Sequence, residues 1–295
     1  MVGRGVSALL ARSRVADGGD APARPLTGDL ARAIAAGELR LVYQPKLHLR
    51  SRRIVSLEAL VRWQHPQRGL ILPNDFIPAA EESDDIRALS LWVVDRAIAD
   101  QQRLGLRGHD LPIFVNIAAI LLADDDFIQR ACTMVLAGGG RIGLEITETS
   151  VIRDPRAAIA NLKRVADLGI PIAIDDYGAG LSSLAYLKQL PACELKIDKL
   201  FVTQLTSSHR DPLIVRSTID LAHAMEMEVV AEGVETPTAL ALLSVMGCDM
   251  AQGYHISRPV DVDAVSAFLD EHREGWAPTA DAGALEQLTA VLRRA

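Results

Sequence analysis

A repeated unit, in which a short apolar run ends at a polar residue, constrains the fold of this chain more than any other feature. Six runs show it: PIFVNIA ends near Asn116, RIGLEITE near Glu145, IPIAIDD at Asp175 and Asp176, CELKID near Lys196, MEVVAEG near Glu232, and CDMAQGY near Gln252. From Asn116 to Gln252 there are five intervals in 136 positions, or about 27 residues per unit. Since that length holds a strand, a helix and two loops, the sequence predicts alternating strands and helices.

Helix start and stop signals lie between these runs. The pairs Asp154-Pro155, Asp211-Pro212 and Thr236-Pro237 each place a capping side chain before a proline at the first helical position. Gly169 and Gly247 stand where helices are expected to end. These signals predict one helix after each of several strands.

The N-terminal third follows the same logic. Thr27 is a candidate N-cap for a helix over DLARAIAAGEL, and the alternating run LRLVYQPKLHL then predicts a strand. A second helix is predicted from residue 85 to near Gly105, with Leu91, Val94 and Ile98 on one face.

The run IVSLEALVRW, residues 54–63, is predicted to be a buried strand, yet it carries the acid Glu58. It brings the number of strands with a polar residue at the C-terminal end to seven. A closed β/α barrel gathers such ends on one face, whereas an open sheet spreads them along an edge. The sequence therefore predicts a parallel, modified TIM-type (β/α)8 barrel in a single domain, with LRLVYQP as the eighth strand.

Charge at this predicted barrel mouth requires compensation. Five acids meet one lysine, which leaves a formal charge of −4 unless several acids bind protons or cations bind. Two divalent ions would cancel it, and carboxylate and amide oxygens suit Mg²⁺ or Mn²⁺ better than Zn²⁺. The residues counted are Glu58, Glu145, Asp175, Asp176, Glu232 and Lys196.

Composition excludes several other classes of protein. A net charge of −7 and 4% aromatic residues disfavour a binding groove for a nucleic-acid polymer. No apolar run approaches the ~18 residues of a membrane span, and we identify no signal peptide. Cys132, Cys193 and Cys248 have no CxxC spacing, so we expect buried free thiols in a reducing cytoplasm. Residues 1–26 are predicted to be a mobile tail, and 269–295 a helical extension containing ALEQLTAVL.

Nine motifs together resemble the EAL domain, a bacterial phosphodiesterase that cleaves cyclic di-GMP. They are YQP (43–45), EALVRW (58–63), FIPAAE (76–81), VN (115–116), LEITE (144–148), DDYGAG (175–180), LKID (195–198), AEGVE (231–235) and QGY (252–254). The resemblance covers residues 27–268, and the order and spacing of the motifs make it specific.

The resemblance implies a role for several of the motif residues. One metal ion would be bound by Glu58, Asn116, Glu145 and Asp175, and a second by Asp175 and Asp176, with Glu232 completing the site near that ion or the attacking water. Lys196 would lie beside the nucleophilic water, and Glu148 would hold the catalytic loop in place. Substrate contacts are expected from Gln44, Arg62, Gln252 and Asp198.

The implied activity is hydrolysis of cyclic di-GMP to linear pGpG by in-line attack of water, with two Mg²⁺ or Mn²⁺ ions per site. The resemblance also implies a homodimer with an interface linked to the DDYGAG loop, and regulation would then come from dimerisation or from a separate protein partner. Two rivals stay open: a cyclic di-GMP receptor that has lost activity, and a scaffold for protein interactions. A third rival, a Mg²⁺-dependent barrel of the enolase type, is disfavoured by the motif order.

Overall fold

The computed structural model describes residues 30–83, 85–147, 154–178, 184–208 and 210–277. Its strands are β1 Leu39–His48, β2 Arg53–His65, β3 Gly69–Ile71, β4 Ile113–Asn116, β5 Ile142–Thr147, β6 Ile172–Tyr177, β7 Glu194–Ile197, β8 Glu228–Ala231 and β9 Met250–Ala251. Its helices are α1 Leu30–Ala35, α2 Pro73–Glu82, α3 Asp85–Leu106, α4 Asp125–Gly138, α5 Pro155–Asp167, α6 Leu184–Leu187, α7 Lys199–Val202, α8 Asp211–Ala224, α9 Pro237–Val245 and α10 Val262–Glu271, with a 3-10 turn at Ala119–Leu121.

Eight of these strands close into a barrel. The strand order is β1-β9-β8-β7-β6-β5-β4-β2-β3, and an additional pairing between β1 and β2 closes the ring. β3 stays outside the ring, as a short antiparallel partner of the end of β2. The predicted TIM-type barrel is confirmed, and LRLVYQP supplies the eighth strand.

The prediction of an entirely parallel sheet is wrong at β1. This strand runs antiparallel to both of its neighbours, β2 and β9, whereas the other pairs in the ring are parallel. Only residues 49–52 connect β1 to β2. A parallel neighbour needs a crossover of about a dozen residues or more, so such a short connection permits only a hairpin.

Glu58 lies in the middle of β2 and not at its end, because β2 continues to His65. The ladder between β2 and β4 nevertheless stops at the pair of Ala59 with Val115. Glu58 is thus one residue from the end of the part of β2 that pairs with β4, at the level where the neighbouring strands end.

Most of the predicted helix signals are confirmed. The Asp154 carboxylate accepts a hydrogen bond from the backbone N–H of Ala157, and the Thr236 hydroxyl accepts one from Ala239. Asp211 differs by one position, because it is the first residue of α8 and Arg210 occupies the cap.

The two helices predicted in the N-terminal third correspond to α1 and α3 and differ from the prediction only at their ends. α1 stops at Ala35, earlier than predicted, where Gly37 has a φ of +68° and turns the chain into β1. Thr27 lies outside the described residues. α3 has the predicted bounds within a residue, and Val94 and Ile98 are buried on its core face.

The apolar core extends from the barrel interior to the chain beyond α10. Trp276 is buried, and its backbone N–H donates to the carbonyl of Arg52 at 2.7 Å. α10 runs through residue 268, where we predicted the barrel to end, and residues 278–295 lie outside the described residues. The domain bounds therefore stay predictions.

The structure bears on two expectations drawn from composition, the absence of a membrane span and the state of the cysteines. None of the helices in the described ranges is long and apolar enough to cross a membrane. Cys132 and Cys248 are buried free thiols as expected. Cys193 is exposed and immediately precedes the first residue of β7.

Candidate metal centre

The ends of the barrel strands bring the predicted acidic and amide side chains into one cluster. Its members are Glu58 on β2, Asn116 on β4, Glu145 on β5, Asp175 and Asp176 on β6, and Lys196 on β7, with Glu232 just after β8 and Gln252 just after β9. A side chain at Gly253 would collide with the backbone of Val234. This close approach of two loops places Glu232 and Gln252 together.

Lys196 lies at the centre of the cluster and is fully buried. Its ammonium nitrogen lies 2.7 Å from Glu145 Oε2, 2.7 Å from Glu232 Oε1, 3.1 Å from Asp175 Oδ1 and 3.3 Å from Glu58 Oε2. An ammonium has three N–H donors, so one lysine cannot satisfy four carboxylates. Negative charge that Lys196 does not neutralise therefore remains around its ammonium group.

Glu58 is held by two amide donors, one at the end of β4 and one just after β9. The Asn116 amide donates to Glu58 Oε1 at 2.9 Å, and the Gln252 amide donates to Glu58 Oε2 at 2.6 Å. Because Asn116 uses its nitrogen for Glu58, its amide oxygen is left available as a ligand. The buried Oε1 of Gln252 has no hydrogen-bond partner among the described residues. The cluster therefore offers uncommitted oxygen atoms.

Asp175 and Asp176 are adjacent in sequence and yet belong to the same cluster. In a regular strand, successive side chains point to opposite faces. Here the pairing of β6 with β7 shifts between Ile174 and Tyr177, and Asp176 has a left-handed φ of +54°. The irregular backbone turns both carboxylates toward the mouth, and Asp is among the residues that tolerate this conformation best.

Two groups of three acids have the spacing of a metal site. One consists of Glu58, Glu145 and Asp175, the other of Asp175, Asp176 and Glu232, and within each group the ligand oxygens lie within 4.8 Å of one another. Asp175 is shared by both. Carboxylate oxygens at this density are the ligands that Mg²⁺ and Mn²⁺ prefer. The described residues thus fit a pair of oxygen-liganded divalent ions.

Protonation reflects the crowding of these acids. Burial raises the pKa of Glu58, Asp175 and Glu232 to about 7 each, and repulsion from neighbouring carboxylates adds to the shift. Burial and the adjacent Asp175 raise the pKa of Asp176 to about 6. Near neutral pH these carboxyl groups exchange protons, and a divalent cation would compete with those protons.

Glu145 behaves in the opposite way because it is held by two lysines. Burial alone would raise its pKa, but the ammonium groups of Lys196 and Lys46 outweigh burial and lower the pKa to about 2. Lys46 Nζ lies 2.8 Å from Glu145 Oε1 and also hydrogen-bonds Glu194. Glu145 is therefore ionised throughout the neutral range.

Sequence reasoning missed Lys46 and Glu194. We predicted one lysine among the acids at the barrel mouth, and the described residues contain a second, Lys46, in contact with Glu145. Because Glu194 accompanies it, the formal charge of −4 for the group is unchanged. A signal was present: Lys46 lies two positions after Gln44 on β1, and Glu194 two positions before Lys196 on β7. Residues two apart on a strand share a face, so both could have been assigned to the barrel interior.

The four predicted substrate-contacting residues make hydrogen bonds within the protein. Gln44 donates to the carbonyl of Ser257 and accepts from Gln252, which places these two side chains together. Arg62 is half-buried, and its guanidinium donates to the carbonyl of Val61. The remaining residue, Asp198, is buried and caps the start of α7.

One predicted residue and part of the predicted loop cannot be placed. Glu148 lies outside the described residues, and so do residues 179–183 of the DDYGAGLSS segment. Their roles stay predictions.

Comparison with known proteins agrees with this architecture. The family model of the EAL domain matches residues 27–259. The chain is 42% identical over 250 residues to the uncharacterized protein Rv1354c of Mycobacterium tuberculosis, a match that covers 83% of this chain and 40% of that protein. It is 39% identical over 254 residues to the cyclic di-GMP phosphodiesterase NbdA of Pseudomonas aeruginosa, a match covering 85% of this chain and 32% of NbdA.

Solved structures share the fold. The PaMucR phosphodiesterase in complex with c-di-GMP matches with a TM-score of 0.76 and 38% sequence identity, covering 80% of this chain and 98% of that chain. The matched region of Rv1354c is only 40% of that protein, so the relatives contain much more sequence than the shared barrel. Family model, sequence identity and fold agree over the region that carries the acid cluster, and the chain belongs to the EAL domain family.

Proposed function

We propose that this chain is a metal-dependent phosphodiesterase that hydrolyses cyclic di-GMP to linear pGpG. The observation that carries the proposal is the pair of acid groups at the barrel mouth, which share Asp175 and surround Lys196. The activity named for NbdA and the ligand in the PaMucR complex support the choice of substrate.

In this proposal the ligands divide between two ions as the acid groups do. Glu58, Asn116, Glu145 and Asp175 would hold one ion, and Asp175, Asp176 and Glu232 the other. Bound Mg²⁺ or Mn²⁺ would supply Lewis-acid charge to the scissile phosphate and lower the pKa of the attacking water. The identity of the metal is part of the proposal.

The protein groups position the reactants and handle the proton. Lys196 and Glu232, whose charged atoms are in direct contact at 2.7 Å, would both lie on the side of the attacking water in this proposal. In this proposal the Glu232 carboxylate would accept a proton from that water. The water oxygen bonds to phosphorus, the bond from phosphorus to the ribose 3′-oxygen breaks, and the leaving oxygen takes up a proton.

Substrate binding would use the rim of the barrel. The Arg62 guanidinium has the planar donor geometry that matches phosphate oxygens. Gln44, Gln252 and Asp198 are proposed to contact the substrate directly or through water, and Glu148 to support the catalytic loop. The homodimer, the regulatory protein partner and the cytoplasmic location stay predictions.

The test is incubation of the purified chain with cyclic di-GMP and Mg²⁺, with a chelator control, followed by chromatography of the nucleotides. We expect a pGpG peak that the chelator abolishes. An unchanged substrate peak with both Mg²⁺ and Mn²⁺ would contradict the proposal. Binding of cyclic di-GMP without turnover would then favour the receptor, and absence of binding would favour the scaffold.

Metal affinity is expected to increase with pH. Because Glu58, Asp175 and Glu232 have pKa values of about 7, each is partly protonated at pH 6 and ionised at pH 8. Mn²⁺ must displace those protons, so its Kd should fall steeply from pH 6 to pH 8 and level off above that range. Calorimetry in buffers of different ionisation enthalpy measures both the Kd and the protons released. A Kd independent of pH would contradict ligation by these carboxylates.

A further inference from the structure

Lys46 is a buried cation next to the proposed metal centre, and none of the roles described above uses it. Its side chain is fully buried on β1, where the pairing with β2 shifts immediately after Lys46. Such a bulge re-aims a side chain relative to the regular strand. The ammonium group contacts Glu145 on β5 and Glu194 on β7, so Lys46 joins three strands inside the barrel.

The charge of Lys46 is balanced locally. Glu194 is almost fully buried and hydrogen-bonds the Lys46 ammonium. On another side, the ammonium lies 4.0 Å from the centroid of the Phe114 ring, a cation–π contact. Phe114 can occupy this position because its neighbour on β5 is Gly143, where a Cβ would meet the ring at 2.6 Å. The structure thus provides Lys46 with a counter-ion and an aromatic cover.

The contact with Glu145 restricts the orientation of that carboxylate. Lys46 holds Oε1 at 2.8 Å and Lys196 holds Oε2 at 2.7 Å. Rotation of the carboxylate would break one or both of these charged hydrogen bonds, and Glu145 and both lysines are fully buried. Glu145 is therefore oriented with Oε2 toward Lys196, the ammonium group that also contacts Glu58 and Asp175.

We propose that Lys46 and Glu194 form a buried pair that positions Glu145 as a metal ligand. This inference rests on the proposed function, because it concerns the same metal centre. Lys46 is a positioning residue, since it acts through Glu145 and lies on the opposite oxygen from Lys196. The alternative is an ion pair that only stabilises the barrel, and the two differ in what they predict for metal binding.

The decisive variant replaces the pair by neutral side chains of similar size, Lys46→Met with Glu194→Gln. Because one positive and one negative charge are removed together, the formal charge around the metal centre stays the same. The remaining change is the loss of the support for Glu145 Oε1. Loss of such supporting partners around metal ligands typically lowers metal affinity 10- to 100-fold.

Mn²⁺ affinity is measured by calorimetry on wild type and variant, with thermal unfolding as a check of the fold. We expect the Kd for Mn²⁺ to rise at least about tenfold in the double variant. Tyr43→Phe is the matched control. Tyr43 is as fully buried as Lys46 on the same strand, but its hydroxyl donates to Asp100, which is not one of the proposed metal ligands. Its Mn²⁺ affinity should equal that of wild type.

A second background tests whether Lys46 acts through Glu145. In a Glu145→Gln chain, removal of the pair should change the Mn²⁺ Kd by less than about twofold, because the residue being positioned is no longer the same ligand. A full loss in that background would overturn the inference. If the double variant shows no cooperative unfolding, Lys46→Gln replaces it, with the same expectation of weaker Mn²⁺ binding.

The outcomes separate this inference from the proposed function. Wild-type affinity in the folded double variant would overturn the positioning role alone and leave a purely structural ion pair. A wild-type chain that binds no Mn²⁺ would overturn the proposed function, and the inference with it.

Discussion

Replacement of Lys196 by methionine is expected to lower the free energy of unfolding by about 3–5 kcal/mol at pH 8, the usual cost of removing one partner from a buried ion pair. Four carboxylates lie within 3.3 Å of the Lys196 ammonium, and all of them would lose their shared cation. Turnover of cyclic di-GMP should fall at least about 100-fold, as for the loss of other charged groups that stabilise a transition state.

The pH dependence of this destabilisation has a definite sign. Three of the four carboxyl groups, Glu58, Asp175 and Glu232, have pKa values of about 7, above the ordinary value for a carboxyl group in an unfolded chain. The folded state therefore binds more protons than the unfolded state, and its stability decreases as the pH rises from about 4 to above 7. The loss caused by the Lys196 replacement should be smaller at pH 6 than at pH 8, because protonation relieves the repulsion.

Urea unfolding followed by circular dichroism at both pH values measures this effect. Lys163→Met, at an exposed position on α5, is the matched control and should change stability by less than about 0.5 kcal/mol. Equal stability of wild type and the Lys196 variant at pH 8 would refute the central role of this ammonium group.

Replacement of Glu58 by glutamine should separate activity from stability. The shape is nearly unchanged, but a carboxylate ligand becomes a neutral amide whose single oxygen can replace only one of the two oxygens that accept from Asn116 and Gln252. We expect the hydrolysis rate to fall at least about 100-fold, because loss of a ligand should cost no less than the 10- to 100-fold typical for loss of a partner that only supports a ligand. Stability without metal should change by no more than about 1 kcal/mol, because relief of carboxylate repulsion offsets one lost hydrogen bond.

Rates of pGpG formation and Mn²⁺ affinities, measured on the same preparations, provide the test. Glu228→Gln, at an exposed position at the start of β8, is the matched control and should retain wild-type activity. A Glu58 variant that hydrolyses cyclic di-GMP at the wild-type rate would remove Glu58 from the proposed ligand set. A Glu58 variant that loses activity only because it unfolds would also show a lower midpoint of thermal unfolding than wild type.

The membership of the acid cluster could largely be predicted because its residues follow buried strands in a regular repeat. The ends of β4, β7 and β8 carry, at or beside them, Asn116, Lys196 and Glu232, as the sequence predicted. Parallel strands in a barrel all end on one face, so strand ends that are distant in sequence must meet. Local pattern and global fold agree at these positions, which is why these side chains lie together at the barrel mouth as predicted.

Two features depended on information that a linear pattern does not contain. The antiparallel direction of β1 followed from a four-residue connection, at residues 49–52, between two runs that each look like a barrel strand. The joint placement of Asp175 and Asp176 required a left-handed residue and a shift of strand pairing. Both are properties of the backbone path, and alternation of side chains along an ideal strand would have separated the two acids.

The sequence alone determined the alternation of strands and helices, the closed barrel, and the set of acids that gather at its mouth, because these depend on periodicity and on residue type at strand ends. Tertiary structure decided which cation each acid meets. Lys46 and Glu194 lie 148 positions apart and become partners only when the barrel closes. Buried charges are tolerated only when they are paired, and pairing across a barrel depends on strand order and register, which exist only in the folded chain.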